Sequence, residues 1–215
     1  ALQGVDLTIA PGSVVGLLGP NGSGKTTLIK IISGLIKPNS GEVNICGMRP
    51  GVETKALVSY LPDTQHLYKW MRVEDAMDFY DDFYDDFDRG KCKELLIAMG
   101  IDKSDKVKSL SKGMYEKTNL ALTLGRNSKL YLLDEPLGGI DPVARDTIID
   151  TILSNYSKNS SFIISTHLVS DIERLFDRVA FIREGRIVLH GDAEELRVER
   201  HMSIENIYKE VFRNA

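Results

Sequence analysis

Gly19-Pro20-Asn21-Gly22-Ser23-Gly24-Lys25-Thr26 fits the pattern G-x-x-x-x-G-K-[ST], the phosphate-binding P-loop, and its flanks supply the context such a loop needs. The apolar run Val14 to Leu18 reads as a buried strand and Thr27 to Ser33 as a helix, so the loop joins strand to helix. Its glycines let the backbone curl until successive N–H groups point into one concavity, and the helix N-terminus adds its positive end there. An anion is wanted at that spot. Lys25 can reach β- and γ-phosphate oxygens, and the Thr26 hydroxyl is placed to ligate a Mg²⁺ ion that bridges them. Asn21, Gly22, Ser23, Gly24 and Thr27 complete the expected cradle for a nucleoside triphosphate.

Upstream of the P-loop, Leu7 to Ile9 reads as a strand separated from Val14 to Leu18 by the Pro11-Gly12 turn, so a hairpin is expected at the start. Downstream, Gly34 is a helix stop, Pro38 to Gly41 is turn chemistry, and Glu42 to Ile45 and Ala56 to Leu61 are strand candidates. From Val73 to Phe87 the character changes. Ala76, Phe79, Tyr80, Phe83, Tyr84 and Phe87 recur at helical spacing with Asp78, Asp81, Asp82, Asp85 and Asp86 between them. That is an amphipathic helix with an acidic outer face, either simply solvated or a docking face for a partner. Lys91 to Met99 continues as helix to Gly100. Helices at Ser111 to Leu124, Pro142 to Tyr156, Ala193 to Arg197 and Ser203 to Phe212 then alternate with strands at Leu130 to Leu133, Phe162 to Ser165, Val179 to Ile182 and Arg186 to Leu189. Strand and helix in alternation mean a parallel-sheet α/β domain.

The composition is that of an ordinary globular chain: 215 residues, 42% hydrophobic and 27% charged, enough for a good core and at most two joined lobes. Lys plus Arg number 27 against 31 Asp plus Glu, and the net charge of -4 gives no general pull towards nucleic acid or anionic lipid. No apolar run is long enough to cross a bilayer and no signal-peptide layout opens the chain, so a cytoplasmic location is expected. Cys46 and Cys92 lack metal-ligand spacing and read as reduced, structural thiols.

Leu130-Tyr131-Leu132-Leu133-Asp134-Glu135 is a second constellation, in which four apolar residues deliver two carboxylates to the C-terminal edge of a strand, where ligands of open α/β sheets gather. Asp134 would bind Mg²⁺ opposite Thr26, and Glu135 would orient or deprotonate the attacking water. With these residues in place, the chain closely resembles the ATP-binding-cassette family, the nucleotide-binding subunits of ABC transporters, over practically its whole length. Leu110-Ser111-Lys112-Gly113-Met114 resembles the family signature LSGGQ, Gly139-Ile140-Asp141-Pro142 its D-loop, and His167 its switch histidine at the γ-phosphate. The resemblance implies a P-loop NTPase core with a mainly parallel sheet, an antiparallel β subdomain and an inserted α-helical subdomain. It divides the chain into 1–67, a helical subdomain at 68–109 with the signature helix at 110–126, and the rest of the core at 127–215. It further implies ATP and Mg²⁺ as cofactors, and a homodimer or heterodimer with a second cassette. Ser111 and Gly113 of one copy would then cap the γ-phosphate held by the other, and Asp141 would cross the interface. Transmembrane permease subunits would be the partners, on the inner face of the membrane, with no nucleic acid.

The sequence departs from the family pattern in three places. Lys112 and Met114 replace a glycine and a glutamine of the signature; the lysine adds positive charge near the trans phosphate, while methionine cannot donate amide hydrogen bonds. After Tyr60-Leu61-Pro62 the family places a glutamine that senses Mg²⁺ and water; Asp63 stands there, with Gln65 two residues on, and Asp63 is favoured because a carboxylate still ligates metal or water. The aromatic residue on which the family stacks adenine belongs upstream of Ala1, so N-terminal residues are expected to be missing. The close spacing of motifs and the variant signature resemble exporters with short membrane partners. A related ATPase serving nucleic acid or ribosomes is the alternative, though the long coiled-coil insertion or second cassette usual in such proteins is not found here. A GTPase would need an N/T-K-x-D guanine motif, which is absent.

Overall fold

The computed structural model describes residues 2–156 and 159–213. Strand β1 (Val14–Leu18) is buried along its whole length, as its unbroken apolar sequence requires of a strand covered on both faces. It is followed in chain order by α1 (Lys25–Ile32), α2 (Val52–Lys55), β2 (Val58–Leu61), α3 (Val73–Phe83), α4 (Arg89–Ala98), α5 (Lys112–Leu124) and β3 (Leu130–Asp134). The chain then continues through α6 (Pro142–Asn155), β4 (Ser161–Thr166), α7 (Val169–Ile172), β5 (Arg178–Arg183), β6 (Arg186–Asp192), α8 (Ala193–Arg200) and α9 (Ile204–Phe212). One six-stranded sheet has the order β2-β3-β4-β1-β5-β6, parallel except for the antiparallel β5–β6 pair. Alternate residues of each strand point to opposite faces. Val14 and Leu18 thus join Leu133, Phe162 and Ile164 on the face that carries the larger core, while Leu17 joins Leu132, Ile163 and Ala180 on the face covered by α1. The mainly parallel P-loop fold expected from the sequence is present.

Register fixes what reaches the C-terminal edge. Leu18 of β1 is level with Thr166 of β4, and Asp134 of β3 is level with Ser165. The residues that follow, Gly19, Glu135 and His167, therefore emerge side by side.

Four local expectations change. Leu7 to Ile9 and Glu42 to Ile45 run beside each other without a strand ladder; the antiparallel pairing recorded there is the single bridge between Ile45 and Met48. The long helix from Val73 ends at Phe83, where Tyr84 turns to an extended conformation, and Asp88 then caps α4 by accepting from Lys91 N at 2.9 Å. Phe79 and Phe83 do not join the buried stripe, which consists of Val73, Ala76, Met77 and Tyr80; they lie 43% and 68% exposed, with their rings stacked at 4.4 Å. Nor does Asp86 belong to the solvated acidic face. Buried Arg126 donates to both its carboxylate oxygens, at 2.8 and 3.2 Å, and to Val58 O at 2.7 Å, with its guanidinium 3.9 Å from the Tyr84 ring. This knot joins the inserted helices to the sheet. Both cysteines are free, Cys92 buried and Cys46 exposed.

Candidate active site

The site is built from three turns at the sheet edge. The P-loop crosses over β5 so closely that a Cβ on Gly19 would lie 2.3 Å from Ile182 O and 2.6 Å from Ser23 Oγ, so glycine is required there. Lys25 is buried at the first position of α1 and folds back to donate to Gly19 O at 2.8 Å and Pro20 O at 3.3 Å. Its Nζ also lies 3.1 Å from Glu135 Oε1. The other oxygen, Oε2, is 3.0 Å from His167 Nδ1. Lys25, Glu135 and His167, drawn from three separate stretches of sequence, thus form one charge-linked row.

Glu135 holds φ 50, a left-handed conformation that a non-glycine residue adopts only where its surroundings enforce it. Here the enforcement comes from β4. Glu135 N donates to Ser165 O at 3.0 Å and to Ser165 Oγ at 3.1 Å, while Ser165 Oγ donates to Asp134 Oδ1. Ser165 therefore holds the Asp134 carboxylate and the backbone of Glu135 at once. It escaped the sequence reading because a serine near the end of a strand is unremarkable until strand order places it level with Asp134.

The arrangement fits a phosphate and a metal ion. Buried Ser23 Oγ and Asp134 Oδ2 have no hydrogen-bond partner among the described residues, and each unpaired buried polar atom of this kind is costly. Burial pushes the Asp134 carboxyl above its usual range, Ser165 and Thr26 favour its charged form, and the charges of Asp63 and Glu135 raise it further. The Thr26 hydroxyl acts on Asp134 from nearby without reaching hydrogen-bond geometry. A cation between Thr26 and Asp134 would satisfy both. Among the described residues no three His, Cys, Asp or Glu side chains cluster to cage a metal. Asn21 and Gly22 are exposed at the mouth of the loop, and Gly24 and Thr27 are half-buried on either side of Lys25 and Thr26. Asp63 and Gln65 are both exposed after β2; Asp63 is the one whose charge acts on Asp134.

The second group lies elsewhere. Ser111 caps α5, its Oγ accepting from Met114 N at 3.2 Å, and Asp141 caps α6, accepting from Ala144 N at 3.0 Å ahead of Pro142. The two caps face each other: Asp141 Oδ2 is 3.9 Å from where a Cβ on Gly113 would sit. Among the described residues no hydrogen bond or ion pair links Ser111, Gly113 or Asp141 to residues 19–27. A further link, also missed in the sequence, is Tyr115, whose hydroxyl accepts from His66 N at 2.8 Å and Leu67 N at 3.1 Å and so ties α5 to the segment after Asp63. Burial pushes the nearby Glu116 carboxyl up to about 7, with Lys112 opposing that rise and Asp63 adding to it.

Comparison with known proteins gives the family and fold. The family described as ABC transporter matches residues 2–138. An uncharacterized ABC transporter ATP-binding protein of Nostoc is 33% identical over 205 residues, 91% of this chain and 61% of that protein. A lantibiotic transport ATP-binding protein, SrtF of Streptococcus pyogenes, is 33% identical over 193 residues, covering 89% of this chain and 84% of its own. The solved structure of an ATP-binding subunit of an ABC transporter superposes with a TM-score of 0.86 at 28% identity, covering 97% of this chain and 92% of the other. The chain spans about three fifths of the length of the first curated relatives it matches.

Proposed function

The chain belongs to the ABC transporter family, and from that premise we propose that it is an ATP-hydrolysing subunit that closes head-to-tail with a second cassette and drives export through membrane-spanning permease partners. The observation that carries this reading is the separation of two anion-binding groups on one chain. The row Lys25–Glu135–His167 surrounds one phosphate position, while Ser111 and Gly113 offer a helix start with no link to it. Two copies are needed to make one complete site.

The contacts support a route to hydrolysis. Lys25 exchanges Glu135 Oε1 for phosphate oxygens when the triphosphate enters, and the released carboxylate then accepts a proton from the attacking water. His167 steadies Glu135 through Nδ1, which leaves Nε2 as the ring nitrogen available to a γ-phosphate oxygen. Thr26 and Asp134 would hold Mg²⁺, which would supply positive charge to offset that of the phosphates. The strained turn at Glu135, tied to Ser165, keeps the carboxylate aimed before the water arrives. The helix start of the other copy, with its Ser111 and Gly113, caps the phosphate and completes the charge stabilisation.

The permease is assigned to the α3 face. Exposed Phe79 and Phe83 are bordered by exposed Asp78, Asp82 and Asp85, a surface that suits a basic, partly apolar cytoplasmic loop. Among the described residues no helix is long and apolar enough to cross a membrane, so the transport path is assigned to the partner.

Subunit mixing tests the composite site. Lys25→Ala and Ser111→Ala variants are each expected to be inactive alone. A mixture regains part of the ATPase activity, because one mixed site pairs an intact Lys25 with an intact Ser111. Failure of any mixture to recover activity, with both variants folded, would refute the reading.

A further inference from the structure

Residues 135 to 141 run from the hydrolytic carboxylate to the cap of α6. The loop is compact: Gly138 N donates to Glu135 O at 2.9 Å, Ile140 N donates to Leu137 O at 3.4 Å, and Leu137 and Ile140 are buried. Gly139, at φ 69, presents its bare α-carbon to the first residue of α5. A Cβ there would meet Lys112 Nζ at 1.9 Å, Cε at 2.8 Å and Cδ at 3.3 Å, so the end of the lysine side chain lies directly over the glycine. Lys112 makes no hydrogen bond or ion pair among the described residues. A lysine stem has many rotamers, a freedom that an exposed side chain without an acceptor normally keeps. This one is instead laid along a backbone that only a glycine makes reachable. Its contact is through Nζ, Cε and Cδ together, with the ammonium nearest, and its charge acts on Glu116 one turn along α5.

We propose that Lys112 is a positioning residue that clamps the 138–141 loop to the start of α5, so that the anion site a chain offers its partner is mechanically tied to that chain's own Glu135. The proposal rests on the dimer reading given above. A phosphate arriving at Ser111 attracts the Lys112 ammonium, draws the stem off Gly139 and changes the restraint on the turn that begins at Glu135. Occupancy of one composite site is thereby reported to the other, through a residue that stands where the family signature has glycine.

The test uses amide hydrogen exchange and ATP kinetics on the full protein. Lys112→Ala removes stem and charge, whereas Lys112→Met keeps most of the stem. Exchange at residues 138–140 is expected to rise about tenfold in Lys112→Ala and to remain near wild type in Lys112→Met. The Hill coefficient for ATP in Lys112→Ala is expected to fall towards about one. Unchanged exchange in Lys112→Ala removes the clamp, and raised exchange with an unchanged Hill coefficient removes the coupling; either result overturns the proposal. The exchange measurement needs no turnover. Failure of the subunit-mixing experiment would therefore strike the dimer reading alone and leave the clamp to be judged by exchange.

Discussion

The sheet edge and the inserted helical lobe use charge in opposite ways. At the edge, Asp134 is 1% exposed, Lys25 5% and Glu135 15%, and these groups meet one another around polar atoms that lack partners. On the lobe, Asp78, Asp81, Asp82 and Asp85 are exposed and solvated, Arg89 pairs with two of them at the surface, and large aromatic rings lie among them. Buried, mutually dependent charges are costly unless a ligand completes them, so they mark chemistry. Exposed charges cost little and contribute little to stability, and it is where they border uncovered aromatics that docking is proposed.

The largest effect is expected at the edge. Glu135→Gln should lower ATP turnover about 10²- to 10⁴-fold while nucleotide binding persists, as equilibrium binding and single-turnover measurements would check. Comparable turnover in the variant would remove Glu135 as the base and erase the contrast with the lobe. Arg126→Met attacks the joint between the two regions. It leaves Asp86 with its Ser128 hydrogen bond but no counter-ion and strips the carbonyls of Val58 and Ala56, and it should cost about 2 to 4 kcal/mol in urea unfolding; a loss at the fully buried limit is not expected because Asp86 is 23% exposed. Ser165→Ala sharpens the comparison within the edge. It should cost about 1 to 3 kcal/mol, and it should also lower kcat more than it raises KM, since Ser165 aims Glu135 without touching the substrate. At the small end, Phe83→Ser should change stability by no more than about 0.5 kcal/mol and leave the isolated ATPase unaltered, while weakening co-purification with the permease. A large destabilisation there would mean that the ring supports the fold and would blur the distinction.

The same division explains what could be read from the sequence. The edge was legible because its chemistry is written in short contiguous motifs: the P-loop, the apolar run into Asp134 and Glu135, and the strand before His167 each carry their own context. Ser165 was not legible, because its role depends on strand order, which brings β4 between β1 and β3. Arg126 and Tyr115 were hidden for the same reason; their partners, Asp86 and the backbone at His66 and Leu67, are far away in sequence. In the lobe, helical periodicity finds α3 and its buried Tyr80, but Phe79 and Phe83 lie outside the buried side. Six aromatic and small apolar residues at helical spacing look like one buried stripe, yet the neighbours of α3 cover only the Ala76–Tyr80 side. The segments 7–9 and 42–45 have strand-like composition, but composition alone does not supply a ladder partner.

The central claim is that one chain holds only half of each hydrolytic site. Its most direct test is the initial ATPase rate of the purified protein against subunit concentration at saturating ATP and Mg²⁺. At low concentration the rate should rise with about the second power of concentration, as a dimer of two incomplete sites requires. A rate strictly proportional to concentration down to the dilution at which the protein sediments as a monomer would contradict the account.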